Sequence, residues 1–124
     1  MKEYATENGK DVELTVLEAP SMSTQDYSKA HRSLVIFCND VAIAYNGGIL
    51  LVVRENPPCK DELGVIGGRV LRGMPIIKSL KIKVKQECGF DIENITELGI
   101  ARQYFITDPF GHGKGTDTFN VMYF

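Results

Sequence analysis

From Leu63 to Gln86 the chain carries no acidic residue, while Arg69, Arg72, Lys78, Lys81, Lys83 and Lys85 put six basic residues in the same stretch. The formal net charge of the 124-residue protein is -2, so this segment is a local positive field and not a sample of a basic chain. Gly67-Gly68, near its start, expose backbone N–H groups without side chains in front of them. A helix beginning close behind would aim further amides outward, and amides together with lysines suit a phosphate. The same lysines are also what a solvated helix face carries, so charge alone does not separate an anion site from an ordinary surface.

The elements that would position these residues follow from spacing. Ile77, Leu80, Val84 and Cys88 recur at intervals of three and four and form one helical face, with Lys78, Lys81 and Lys85 beside it. Pro75 suits a first helical position and Gly89 the residue just past a helix end. Leu80–Lys85 also alternates with period two, which leaves a strand open on pattern alone. Upstream, Ser33–Cys38 and Val41–Tyr45 read as two strands or as one bulged strand broken by Asn39-Asp40. Asn46-Gly47-Gly48 supplies a tight hairpin turn, and Ile49–Arg54 returns from it until Asn56-Pro57-Pro58 ends the pairing. Leu63–Ile66 approaches the glycine pair. Ile95–Ile106 and Phe119–Phe124 are strands on either side of the loop Asp108–Thr116. Residues 1–30 read as an N-terminal arm with one short strand at Val12–Leu17 and otherwise loop, and residues 31–124 as the domain proper.

The run from Gly67-Gly68-Arg69-Val70-Leu71-Arg72-Gly73-Met74-Pro75 to Gln86-Glu87-Cys88-Gly89-Phe90 resembles the Nudix box, the loop-helix-loop of the Nudix (MutT-like) hydrolases. With the box's first glycine at Gly68, Gly68, Val84, Glu87, Gly89 and Phe90 match without a gap. The resemblance covers roughly residues 32–124. It implies an α+β Nudix fold: a mixed β-sheet sandwich with the box helix at Pro75–Cys88, the C-terminal helix being either lacking or not shown by these residues. It also implies a nucleoside-diphosphate-linked ligand, with Gly67, Gly68, Arg69 and Lys83 as phosphate contacts.

The box is degenerate. Met74 stands at the loop glutamate, Ile82 at the arginine, Lys83 at the next glutamate and Gln86 at the first of the paired glutamates. Glu87 alone of the four acids remains, as the one metal ligand and, with Gln86, the place of any catalytic chemistry. The resemblance implies magnesium or manganese if the protein is active and none otherwise. Magnesium asks for hard oxygen ligands, one or two carboxylates besides substrate phosphates. Gln86 offers a neutral oxygen but no base. Lys83, one turn from Glu87, would pair with it. The expectation is a Nudix-like domain with impaired catalysis that binds a nucleoside-diphosphate-linked ligand or serves as a scaffold. The alternative is a divergent magnesium-dependent hydrolase of a nucleotide sugar or similar compound. For it, Gly67-Gly68-Arg69-Val70 and Gly115-Thr116-Asp117 are similar to the nucleotide-sugar hydrolases of the family, and Glu97, Asp108 and Asp117 are further acids that folding would have to bring to the metal.

Arg102, Tyr104 and His112 are candidate substrate contacts, a charge and a ring beside each other and a histidine among alternating glycines. Packing and plain loop roles compete for each. His31 reads as exposed, and Tyr104, Phe105 and Phe110 as core or hairpin aromatics. The 44% apolar and 24% charged composition is ordinary for a globular domain. With no basic excess and no apolar run near the roughly 20 residues of a membrane span, the expected partner is a small nucleoside diphosphate derivative, not nucleic acid or a membrane, with a homodimer left open. The acidic N-terminus lacks a secretory pattern, and Cys38, Cys59 and Cys88 read as reduced thiols, which together place the protein in the cytoplasm.

Overall fold

The computed structural model describes residues 1–124. Thr6–Glu7 (β1) and Lys10–Asp11 (β2) pair antiparallel around Asn8-Gly9, both at positive φ. Leu14–Leu17, within the expected strand Val12–Leu17, is a 3-10 turn instead, because the Glu13 carboxylate accepts from the Thr15 amide and hydroxyl and no neighbouring strand competes for this backbone. Thr24–Ser33 (α1) is a helix where the reading gave loop, and it runs across residue 30. Ser23 caps it, its hydroxyl accepting from the Asp26 amide at 3.1 Å, while Arg32 sits favourably in its last turn.

The main sheet explains the rest of the architecture. Ile36–Val41 (β3) passes unbroken through Asn39-Asp40. Those two polar residues are tolerated inside a strand because each is satisfied. The Asn39 amide donates to the Ile76 carbonyl at 3.1 Å, and the Asp40 carboxylate accepts from the Asn120 amide. Ile43–Tyr45 (β4) and Gly48–Leu50 (β5) form the expected hairpin, its turn held by Asn46 and Gly47 at φ 48° and 77°. Val52–Val53 (β6) then pairs with Leu63–Gly64 (β7). Ile66–Arg69 (β8), Glu97–Phe105 (β9) and Thr116–Tyr123 (β10) complete a four-stranded mixed sheet in the order β8-β3-β10-β9, with β3 and β10 parallel and the other neighbours antiparallel.

Ile76–Cys88 (α2) is helical throughout, and Gly89 at φ 78° ends it. Pro75 stands at its cap and not at its first turn. The Ile76 amide at the helix start donates to the Glu3 carboxylate at 3.0 Å, so the arm supplies the anion that the helix dipole favours. Leu80 and Val84 are fully buried against Val41, Ile66, Val121 and Tyr123, and Ile76 and Ser79 are nearly so. Burial of Leu80 stabilises the fold by about 1.5–3 kcal/mol. Lys78, Lys81 and Lys85 lie on the solvent side. No helix is long and apolar enough to cross a membrane.

Candidate functional site

Strand alternation sorts the sheet into two faces. Asn39, Val41, Phe119 and Val121 face α2, whereas Ile36, Cys38, Asp40, Gly67, Thr118 and Asn120 face the other side, where they line a cleft of about 450 Å³. A second groove of about 430 Å³ lies at the β8 edge and is lined by Arg54, Glu55, Gly67, Lys83 and Glu87 among others. The two share Arg54, Val65 and Gly67 and so adjoin in a depression at the edge of the sheet.

At the edge, Gly67 and Gly68 let side chains pass close to backbone. A Cβ on Gly67 would overlap the Asp40 carboxylate and the Asn39 carbonyl oxygen, and one on Gly68 would stand 3.2 Å from Cε of Lys83. The Lys83 stem thus lies across Gly68. Its ammonium reaches the Glu87 carboxylate at 2.9 Å, the i,i+4 pair expected from the spacing. Arg54 is fixed by a 2.7 Å bond from Nε to the Pro58 carbonyl. Gln86 is exposed and does not line the groove.

These residues do not fit a divalent metal. No group of three or more His, Cys, Asp or Glu side chains is placed to hold one. Glu87 is engaged by Lys83, and a lysine ammonium beside the only box carboxylate opposes a cation by charge. The acids that might have joined from outside the helix are committed elsewhere. Glu97 pairs with the Met1 ammonium, and Asp117 binds Arg102 through two bonds of 3.1 and 2.9 Å. Asp108 accepts from the amides of Phe110, His112 and Gly113 at 2.9–3.1 Å and so builds its own loop.

The candidate residues therefore separate. Gly67, Gly68, Arg69, Lys83 and Glu87 gather along the depression. Arg102 and Tyr104 alternate with the cleft residues Gln103 and Phe105 and so fall on the opposite face, where the Arg102 guanidinium lies 5.1 Å over the Tyr104 ring. His112 is buried in a cluster with His31 that the sequence did not disclose. His31, expected to be exposed, is 7% exposed because α1 lays it against the 107–115 loop. The Lys114 amide donates to His112 Nδ1 at 3.1 Å, which leaves His112 Nε2–H to donate to His31 Nδ1 at 2.8 Å. Burial, then the neighbouring charge of His112, hold His31 below its ordinary pKa, against an opposing pull from Asp108.

The arm supplies a wall of the cleft. Tyr27 of α1 packs edge-on to Phe110 and lies under the Arg69 guanidinium at 4.4 Å. Asp40, Asn120, Arg54 and Tyr27 are the residues of this depression that sequence reasoning missed. Burial raises the pKa of Asp40, and the Asn120 bond and the Arg54 charge partly offset it. Burial, together with the Asp40 charge, pushes the Cys38 thiol up to about 12, so it is inert.

A mixed sheet with flanking helices and a depression at the glycine-bearing edge defines an α+β class, and comparison with solved structures makes it narrower. The chain is similar to a MutT NUDIX hydrolase from Burkholderia pseudomallei (23% identity, TM-score 0.61), covering 73% of this chain and 66% of that one. It is similar to a MutT/nudix family protein from Enterococcus faecalis (21%, TM-score 0.58, 82% of this chain and 43% of that one). It also resembles the NUDIX domain of Shewanella oneidensis NrtR, solved with ADP ribose (15%, TM-score 0.57, 82% and 69%). At these identities the likeness shows the fold, and the chain has a Nudix-like α+β fold. Among curated proteins it is 32% identical over 68 residues to the low-salt glycan biosynthesis protein Agl8 of Haloferax volcanii. That match spans 55% of this chain and 44% of the relative, less than half its length. No protein-family model matches the sequence.

Proposed function

We propose that this domain binds a nucleoside-diphosphate-linked ligand in the depression around Gly67, using Lys83 in place of a metal ion, and that its hydrolytic capacity is impaired. The observation that carries the reading is the position of Lys83. Its stem crosses Gly68, and its ammonium stands at a groove that Arg54 and Gly67 also line. A lysine there neutralises phosphate charge as a point cation. It does not activate water, and its ammonium occupies the Glu87 carboxylate. In this reading α2 is the box helix, and Arg69, held over Tyr27, faces the same ligand from the cleft side.

The test is twofold. ADP should bind in the presence of EDTA, and nucleoside diphosphate derivatives should show no robust turnover with magnesium or manganese. Rapid hydrolysis abolished by Glu87→Gln would sink the proposal. A second reading, a divergent magnesium-dependent hydrolase, has one observation in its favour: Glu55 lines the same groove as Glu87, and Asp40 the adjoining cleft. A high-affinity magnesium site found by titration would support it.

A further inference from the structure

The two edges of the main sheet are built differently. At one edge β8 has four residues, and the Lys83 stem lies across its Gly68. At the other, β9 has nine residues and no strand on its outer side. No turn or loop backbone bonds to it there, and none of its nine residues is buried. An antiparallel strand spends only alternate residues on one neighbour, so the others of β9 present unpaired N–H and C=O groups to solvent.

Proteins ordinarily protect such an edge with lysine, proline, a bulge or a short strand. Glu97–Phe105 contains no lysine or proline. Its register with β10 runs unshifted from Phe105 to Gly99, and the irregularity at Met122/Tyr123 lies at the far end. One row of the strand is also apolar and open: Leu98, Ile100 and Tyr104 are 62%, 50% and 68% exposed. The single charge in that row, Arg102, is held by Asp117 of β10 through two bonds.

We propose that β9 is the interface of a homodimer, pairing edge to edge and antiparallel with β9 of a second copy about a two-fold axis at Ala101. The occupant follows from self-complementarity. A two-fold axis relating antiparallel neighbours stands perpendicular to the sheet, keeps each face on its own side and passes between a residue and its own copy. Ala101 is the midpoint of Glu97–Phe105, so this register pairs all nine residues. It sets Leu98 opposite Tyr104 and Ile100 opposite Arg102, each pair occurring twice, and no charged side chain faces its own copy. Moving the axis to Arg102 would bring the two guanidinium groups together, which like charge disfavours. The pairing joins two four-stranded sheets into one of eight strands, with the apolar rows of both copies on one face.

The experiment is sedimentation velocity of the intact protein under reducing conditions, from about 1 to about 100 μM. A species of twice the 13.8 kDa of one chain should form. Ile100→Lys places an ammonium opposite each Arg102 and should weaken the dimer at least about tenfold. Cysteine placement reads the same contact should the lysine variant fail to fold. In a Cys59→Ser, Cys88→Ala background, two copies of Ala101→Cys stand about 4.5–5.5 Å apart at Cα and should cross-link under mild oxidation. Two copies of Tyr104→Cys lie about 20 Å apart along the strands and should not. A monomer throughout the concentration range, a dimer unaffected by Ile100→Lys, or one that Ala101→Cys does not cross-link, each overturns the proposal.

Discussion

Lys83→Met removes the ammonium and keeps the length of the stem that crosses Gly68. Two consequences follow, of very different size. The Lys83–Glu87 pair is 39% and 33% exposed at its two side chains, so water screens it and its loss costs about 0.3–0.5 kcal/mol of stability. For a bound diphosphate the loss is larger. A unit charge about 4 Å from the ammonium gains about 4 kcal/mol at an effective dielectric of 20, before the desolvation of both groups and the opposing charge of Glu87 are counted. A charge-assisted hydrogen bond retains about 1.5–3 kcal/mol of this, which is roughly ten- to a hundredfold in affinity. Titration of ADP into wild type and Lys83→Met in EDTA reads that ratio, with urea unfolding as the control for the small stability change. Equal ADP affinity in the two proteins would refute the placement of phosphate beside Lys83.

Further expectations concern the scaffold. Leu80→Ala, at a fully buried position of α2, should lower the unfolding free energy by about 2–5 kcal/mol, read from urea curves. Gly67→Ala forces its methyl group into the Asp40 carboxylate and the β3 backbone and should cost about 1–3 kcal/mol in the same assay, with weakened ADP binding. A disulfide thiol reagent at pH 8 should modify exposed Cys59 quickly and Cys38 only on unfolding, since that thiol is buried and raised to about 12. His31 has a depressed pKa in the folded state, so below the unfolded value of about 6.5 the unfolded chain binds more protons and stability falls as pH drops. The slope is at most about 1.4 kcal/mol per pH unit, present between the folded value and about 6.5, and His31→Gln should flatten it.

What the sequence disclosed follows from how local each signal is. The helix Ile76–Cys88 and the Asn46-Gly47 turn are written in short-range periodicity and in positive-φ residues, and both stand where the reading put them. The Lys83–Glu87 pair was legible for the same reason, being one helical turn apart. Helix α1 was missed because its inward side is Tyr27 and His31 and not a stripe of aliphatics, although Ser23 and Asp26, three apart, are a start signal. Asn39-Asp40 looked like a strand break because the partners that satisfy them, Ile76 and Asn120, lie 37 and 80 residues away. The cleft floor was invisible for a related reason: alternate residues of β10 line the cleft only when β3 lies beside them. Arg102 and Tyr104 were drawn toward the ligand by residue type alone, and the register of β9 against β10 puts them on the other face.

Whether Lys83, and not a cation held by Glu87, meets the ligand's phosphates is decided by Glu87→Gln. This variant should bind ADP more tightly than wild type in EDTA, by roughly three- to tenfold, because the substitution frees Lys83 and removes a carboxylate that repels the diphosphate. Weaker binding by Glu87→Gln, with wild-type affinity that depends on added magnesium, would contradict it.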